Sequence, residues 1–225
     1  MAGLQIDPIV KNAAAADSRV FRAEDCGLHT VADCTQVGVG GTFVAGTLIE
    51  TIDGPRPVDS LVAGDLVLTR DAGFQPLRWT RTSITAALAH HAPVVITRSA
   101  LGNDRDLVVA PRHALLLDDW RAELLYGVPE VLVRAVDLLN HDRIYRRSGG
   151  RVSYCHVLFD EHHLVRAAGT WSESLHPGDV SNNTLHPIAC AEVQFLFPDL
   201  NSFGPKIAPC LHQFEAACLT AQEHT

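Results

Sequence analysis

Thr42-Phe43-Val44-Ala45-Gly46-Thr47-Leu48-Ile49-Glu50-Thr51 is the stretch from which the fold is read. Gly46 permits a tight bend between two short apolar runs. The run ending at Thr51 meets Asp53-Gly54 and then Arg56-Pro57-Val58, and Asp-Gly between such runs is a hairpin signal. Outward from there the pattern repeats. GDLVLTR (64–70), the turn Asp71-Ala72-Gly73 and FQPLRWTRT (74–82) come next. APVVITRS (92–99), DLVVAPRHALLL (106–117), EVLVRAVDLL (130–139), DRIYRR (142–147) and RVSYCHVLFDEHHLVRA (151–167) follow. Many short runs punctuated by Gly, Pro, Asn and Asp predict an all-β fold of short antiparallel strands. No regular alternation of strand and helix is present, which argues against a doubly wound nucleotide-binding sheet.

The flanks differ from this middle. Residues 1–41 are Ala-rich, then polar, and end in Gly38-Val39-Gly40-Gly41; they read as a flanking segment. Residues 42–180 form the β domain, and 181–225 a C-terminal extension. In that extension HPIACAEVQFLF (186–197) predicts a short helix ended by Pro198, and PCLHQFEAACLTAQ (209–222) a second. Cys210 and Cys218 are expected on that second helix, in the core.

Composition narrows the function classes. Hydrophobic residues make up 47% and charged residues 20%, a globular balance. The net charge of -8, with no basic run, argues against a nucleic-acid binder. No apolar stretch approaches the roughly 20 residues of a membrane span. The first residues lack a basic region followed by an apolar core, so no secretory signal is read. Six widely spaced cysteines without a CxxC pair predict a reduced, cytoplasmic chain, with a signal-less export route left open.

Three further stretches bear on chemistry. In Val109-Ala110-Pro111-Arg112-His113-Ala114-Leu115-Leu116, His113 opens an apolar run. In the stretch from His156 to Gly169, His163 falls seven residues after His156. The third is a set of marks: Gly73 to Trp79, Asp119 to Leu125, and Ser172-Glu173-Ser174-Leu175-His176-Pro177-Gly178.

In order and spacing, these stretches resemble a Hint domain, the self-cleaving module of Hedgehog proteins and inteins. The resemblance is to a bacterial, stand-alone sort with a short helical tail and no terminal His-Asn. It implies a horseshoe of short strands with pseudo-two-fold halves. It also implies that Thr42 stands where the nucleophilic cysteine usually sits, after a scissile bond at Gly41. His113 falls at the position of the proton donor, and Ala110 where the family carries Thr or Ser. His156 falls at a polar catalytic position and His163 at a later His. The implied reaction is an N-to-O acyl shift at Gly41–Thr42 followed by hydrolysis or transfer. Its substrate is the chain's own N-terminal segment, and no cofactor is called for. Splicing is not expected, because no terminal Asn is placed for ligation.

The residue types suit that chemistry. An amide nitrogen leaves only with a proton, and imidazole titrates near working pH. An aliphatic hydroxyl is essentially un-ionised at neutral pH and needs a base, so Thr42 is a slower nucleophile than Cys. Blander readings stand beside this one. Thr42 reads equally as a strand-entry residue, His113 and His156 as core histidines, and Cys155 as a core cysteine facing away from His156. His162 is read as facing away from His163 on a strand. A zinc site of His113, His156 and His163, or a metal-dependent hydrolase, lacks the ligand spacing. A Hint fold that has lost cleavage and serves as a binding module is the main alternative.

Overall fold

The computed structural model describes residues 41–182, 187–198, 203–211 and 213–220. Apart from Gly41, the flanking segment read at residues 1–41 lies outside them. The opening stretch folds as read: β1 (Thr42–Val44) turns at Gly46, with φ of 86°, into β2 (Leu48–Thr51). Gly54, with φ of 97°, starts β3 (Gly54–Pro57), which pairs antiparallel with β2. The following runs give β4 (Leu66–Thr69), β5 (Gly73–Pro76), β6 (Trp79–Ala86) and β7 (Val94–Ile96). Next come β8 (Leu107–Val109), β9 (Ala114–Asp118), β10 (Glu130–Arg134) and β11 (Ile144–Arg146). The series closes with β12 (Arg151–Leu158), β13 (Leu164–Ala167) and β14 (Thr170–Glu173).

These strands form two antiparallel sheets. The first has the order β11-β7-β8-β1-β12-β6; the second runs β10-β9-β14-β13-β2-β4-β5, with β3 on the side of β2. Two stretches that read as single runs are divided between the sheets. DLVVAPRHALLL breaks into β8 in the first sheet and β9 in the second. Pro111 has no N–H to give a ladder, and the chain turns there, His113 N–H donating to Ala110 O at 3.1 Å. RVSYCHVLFDEHHLVRA likewise crosses from β12 to β13 through residues 159–163. Both crossings put a histidine of interest where the sheets meet.

β1 lies between β8 and β12, so its short span is held on both edges. Phe43 anchors it in the main core with Ile49, Val109, Leu115, Val133 and Cys155, all completely buried. Cys155 is the core cysteine that was expected, its thiol 3.2 Å from Thr82 Oγ1. Burial pushes that thiol up to about 11.

One helix interrupts the strands. α1 (Trp120–Tyr126) starts at Asp119, whose side chain accepts from Arg121 N, and ends at Gly127 with φ of 72°. An Asp cap and a left-handed Gly bracket it in the sequence. α2 (Pro187–Leu196) stops short of Pro198 as predicted. It packs Ala189 and Val193 on Trp79, Leu158 and Leu175. The second predicted helix, α3 (Gln213–Thr220), is shorter than read. Cys210 lies before it, bridged to Leu132 beside β10, and Cys218 is exposed, so neither is the core helical cysteine expected. α3 is tied to α1: Tyr126 Oη donates to Glu215 O at 2.9 Å and Arg121 Nη1 to Leu219 O at 2.9 Å. Among the described residues no helix is long and apolar enough to cross a membrane.

Candidate active site

Thr42 opens β1 directly across the ladder from His156, and it is completely buried. Its carbonyl accepts from Ala110 N at 3.1 Å, which fixes the strand against the turn that carries His113. Its other two polar atoms meet two different imidazoles. The N–H donates to His113 Nδ1 at 3.0 Å, and the hydroxyl oxygen lies 3.0 Å from His156 Nδ1.

His113 sits in the turn between β8 and β9, edge-on to Phe43 with ring centroids 4.5 Å apart. Its backbone is held at both ends: the N–H donates to Ala110 O and the carbonyl accepts from Ala135 N at 2.9 Å. Because Nδ1 accepts, the neutral ring carries its hydrogen on Nε2, a buried atom without a partner among the described residues. Burial drives the His113 pKa down to about 3. His156 lies on β12 between β1 and β6, its ring 6.5 Å from the Trp79 ring at 29°. Burial, then the charge of Arg81 opposite it, lowers its pKa to about 4.

Gly41 is buried with φ of 63°. A Cβ at this position would lie 2.1 Å from Leu175 N and 2.4 Å from Ser174 C, atoms of backbone that cannot withdraw. Only glycine fits, so its backbone can run close beside the chain leaving β14. Ala110 contributes backbone alone; its methyl group packs with Ala87, Val152 and Tyr154.

His163 is not gathered to Thr42. Its Nδ1 is 2.8 Å from Asp71 Oδ2 in the β4–β5 turn, and its ring is edge-on to Phe159 at 5.6 Å. With His113 and His156 on Thr42 and His163 on Asp71, the three rings do not converge as a zinc site would require. Among the described residues no group of three His, Cys, Asp or Glu side chains is placed to hold a metal.

Two buried residues escaped the sequence reading. His162 does not alternate with His163 on a strand, since 159–163 is the crossing between sheets. It is buried: Nδ1 accepts from Ile207 N at 3.2 Å, and Nε2 lies 3.9 Å from Glu173 Oε2. Burial, with His176 and Lys206 nearby, holds its pKa down at about 3. Glu173 sends Oε1 to Ala114 N at 2.8 Å, one residue from His113. Its Oε2 faces Lys206 Nζ at 3.4 Å, and that ammonium also meets Asp179 at 2.9 Å. Burial raises the Glu173 pKa, Lys206 opposing it. A carboxylate inside Ser172-Glu173-Ser174-Leu175 is the available signal, but nothing local to it says which N–H it would meet.

Residues 41–179 match the family model of the Hint domain. The chain belongs to the Hint domain family. Among solved structures, this Hint domain is similar to the MchDnaB-1 intein, at 11% identity and a TM-score of 0.38, covering 59% of this chain and 98% of that one. It is also similar to a bacterial intein-like domain from Clostridium thermocellum, at 16% identity and a TM-score of 0.41, covering 59% and 97%. The gp41-1 intein gives 14% identity and a TM-score of 0.36, with 59% and 98% covered. These likenesses concern the fold alone. No curated protein matches the chain.

Proposed function

We propose that this Hint domain cleaves its own chain at Gly41–Thr42 by an N-to-O acyl shift, its substrate being the segment that ends at Gly41. The supporting observation is that the two polar groups of Thr42 that must change during such a shift each meet a separate buried imidazole. The hydroxyl that attacks faces His156, and the nitrogen that leaves faces His113.

The steps follow from those contacts. Thr42 Oγ1 attacks the Gly41 carbonyl carbon, and His156 Nδ1 takes the hydroxyl proton as the C–O bond forms. Loss of amide resonance makes the Thr42 nitrogen basic. It accepts a proton from Nδ1 of protonated His113, and the C–N bond breaks. The products are an ester on Thr42 Oγ1 and a free α-amine. Water attack on the ester releases the N-terminal segment; an alcohol or amine in place of water would carry it away as an adduct. General acid–base help of this kind contributes about 10²–10⁴-fold.

Mass spectrometry of freshly made chain tests this. Cleavage after Gly41, accelerated by hydroxylamine, is the expected result. A chain that stays whole for days in hydroxylamine would rule the reading out.

A second reading has one observation behind it. The apolar packing of Ala110 leaves no side-chain hydroxyl where the family carries one. On that ground the scaffold serves as a binding module without cleavage. The Thr42→Cys variant separates the two: a chain that stays whole even with a thiol nucleophile favours the binding module.

A further inference from the structure

The family match ends at residue 179, yet two charged side chains beyond it reach the supports of the two imidazoles. On α2, the half-turn facing the domain presents Glu192, 7% exposed. It accepts from Trp79 Nε1 at 3.0 Å and pairs with Arg81. Trp79 carries the ring lying against His156, and Arg81 is the cross-strand partner of His156. In the segment 203–211, Lys206 faces Glu173, whose other oxygen holds Ala114 N–H beside His113. The next residue, Ile207, donates its N–H to His162, whose Nε2 is turned to the same carboxylate. Glu173 leads directly into Ser174 and Leu175, the backbone under Gly41. Lys206 is thus the cation that lets a buried carboxylate stand beside the scissile peptide.

We propose that the segment carrying Glu192 and Lys206 is a working part of the cleavage site: Glu192 orients His156 through Trp79 and Arg81, and Lys206 orients His113 through Glu173. Both are positioning residues, and the proposal rests on the cleavage reading above. Two consequences follow. The domain as bounded by the family match lacks these two supports. Cleavage also depends on residues far downstream of the bond, so a nascent chain cleaves slowly at Gly41–Thr42 until the segment around 206 has been made and has docked. The two arms are independent, one on each imidazole.

Cell-free synthesis of the full chain, followed by mass spectrometry at timed intervals, measures the rate. Lys206→Met strands the Glu173 carboxylate, and the rate falls roughly tenfold to a hundredfold, the cost of a misplaced catalytic group. Adding Glu173→Gln restores most of it, because the amide oxygen accepts from Ala114 N–H without needing a cation. Glu192→Gln keeps an acceptor for Trp79 but leaves Arg81 unbalanced beside His156, and the rate falls similarly. Adding Arg81→Met restores it. Circular dichroism confirms folding of each chain, and Lys206→Gln replaces Lys206→Met should the latter not fold. Unchanged rates in the folded single variants would overturn the proposal, as would double variants no faster than the singles. If the natural chain does not cleave, the cleavage reading falls and takes this one with it. If it cleaves and the C-terminal variants cleave equally, only the present inference fails.

Discussion

The hydroxyl oxygen of Thr42 lies 3.0 Å from Nδ1 of His156, across one rung of the β1–β12 ladder. The contact is set by register rather than by a flexible side chain, so it survives isosteric change at Thr42. Thr42→Val removes the nucleophile while keeping shape, and cleavage should vanish. Thr42→Cys supplies a thiol that is a few per cent ionised at neutral pH, and cleavage should quicken about tenfold or more. Timed mass spectrometry of the three chains decides it; a Val variant that still cleaves at Gly41 would exclude Thr42 as nucleophile.

The three histidines singled out in the sequence should separate by experiment. His113→Ala and His156→Ala are each expected to slow cleavage by about 10²–10⁴-fold. His163→Ala breaks the contact with Asp71 and leaves both Thr42 contacts in place. It should cost about 1–3 kcal/mol of stability and little rate. Denaturant melts alongside cleavage assays test the split. A His163 variant as inactive as the His113 variant, yet fully folded, would contradict it.

Gly41→Ala puts a methyl group into the backbone of Ser174 and Leu175 and asks for φ of 63° at a residue with a side chain. Overpacking of this order costs about 1–3 kcal/mol. Relief requires Gly41 to lift away from the chain leaving β14, which also moves the Gly41 carbonyl from Thr42 Oγ1. The expected outcome is a lower melting temperature of uncleaved chain together with slower cleavage. An Ala variant that cleaves at the natural rate would show that the close contact has no part in the reaction.

Stability and rate should respond to pH in opposite senses. The folded pKa values of His113, His156 and His162 are depressed to about 3, 4 and 3 from the ordinary 6.5. Below pH 6.5 the unfolded chain therefore binds protons that the folded one refuses. Stability is lost as pH falls from about 6.5 towards 4. Glu173, with a raised pKa, works the other way but is a single group. Thermal melts between pH 7.5 and 4.5 should fall on the acid side. Cleavage needs His113 protonated and His156 neutral, so the rate should rise as pH drops from 8 towards 5 in the chain that is still folded. A rate that climbs with pH over that range would remove His113 as the proton donor.

Much of this molecule was legible in its sequence. The turn residues Gly46, Asp53-Gly54 and Asp71-Ala72-Gly73 fall between strands as their chemistry demands. So does Pro198 after α2. Thr42, His113 and His156 were picked out by motif, and the fold brings them together. The misreadings share a cause. DLVVAPRHALLL and RVSYCHVLFDEHHLVRA look continuous because apolar runs do not record which sheet they join. His162 reads as a strand residue for the same reason, and it lies in the crossing. Cys218 reads as a core residue because a short helix of weak polarity does not show which face is covered, and it lies exposed.

What the sequence determined alone was the set of local conformations and the family to which they add up: short strands, tight turns, and a threonine after glycine at the head of one strand. Such features depend on neighbours a few residues apart, and those are printed in the chain. Tertiary structure decided the partners. His113 and His156 are 71 and 114 residues from Thr42, and their meeting on its two polar atoms is a matter of ladder register. Tertiary structure also gave Glu173 its place beside Ala114, with Lys206 closing on it from beyond the matched domain. A buried charge is tolerated only where a distant part of the chain supplies its opposite, and no local pattern says where that will be.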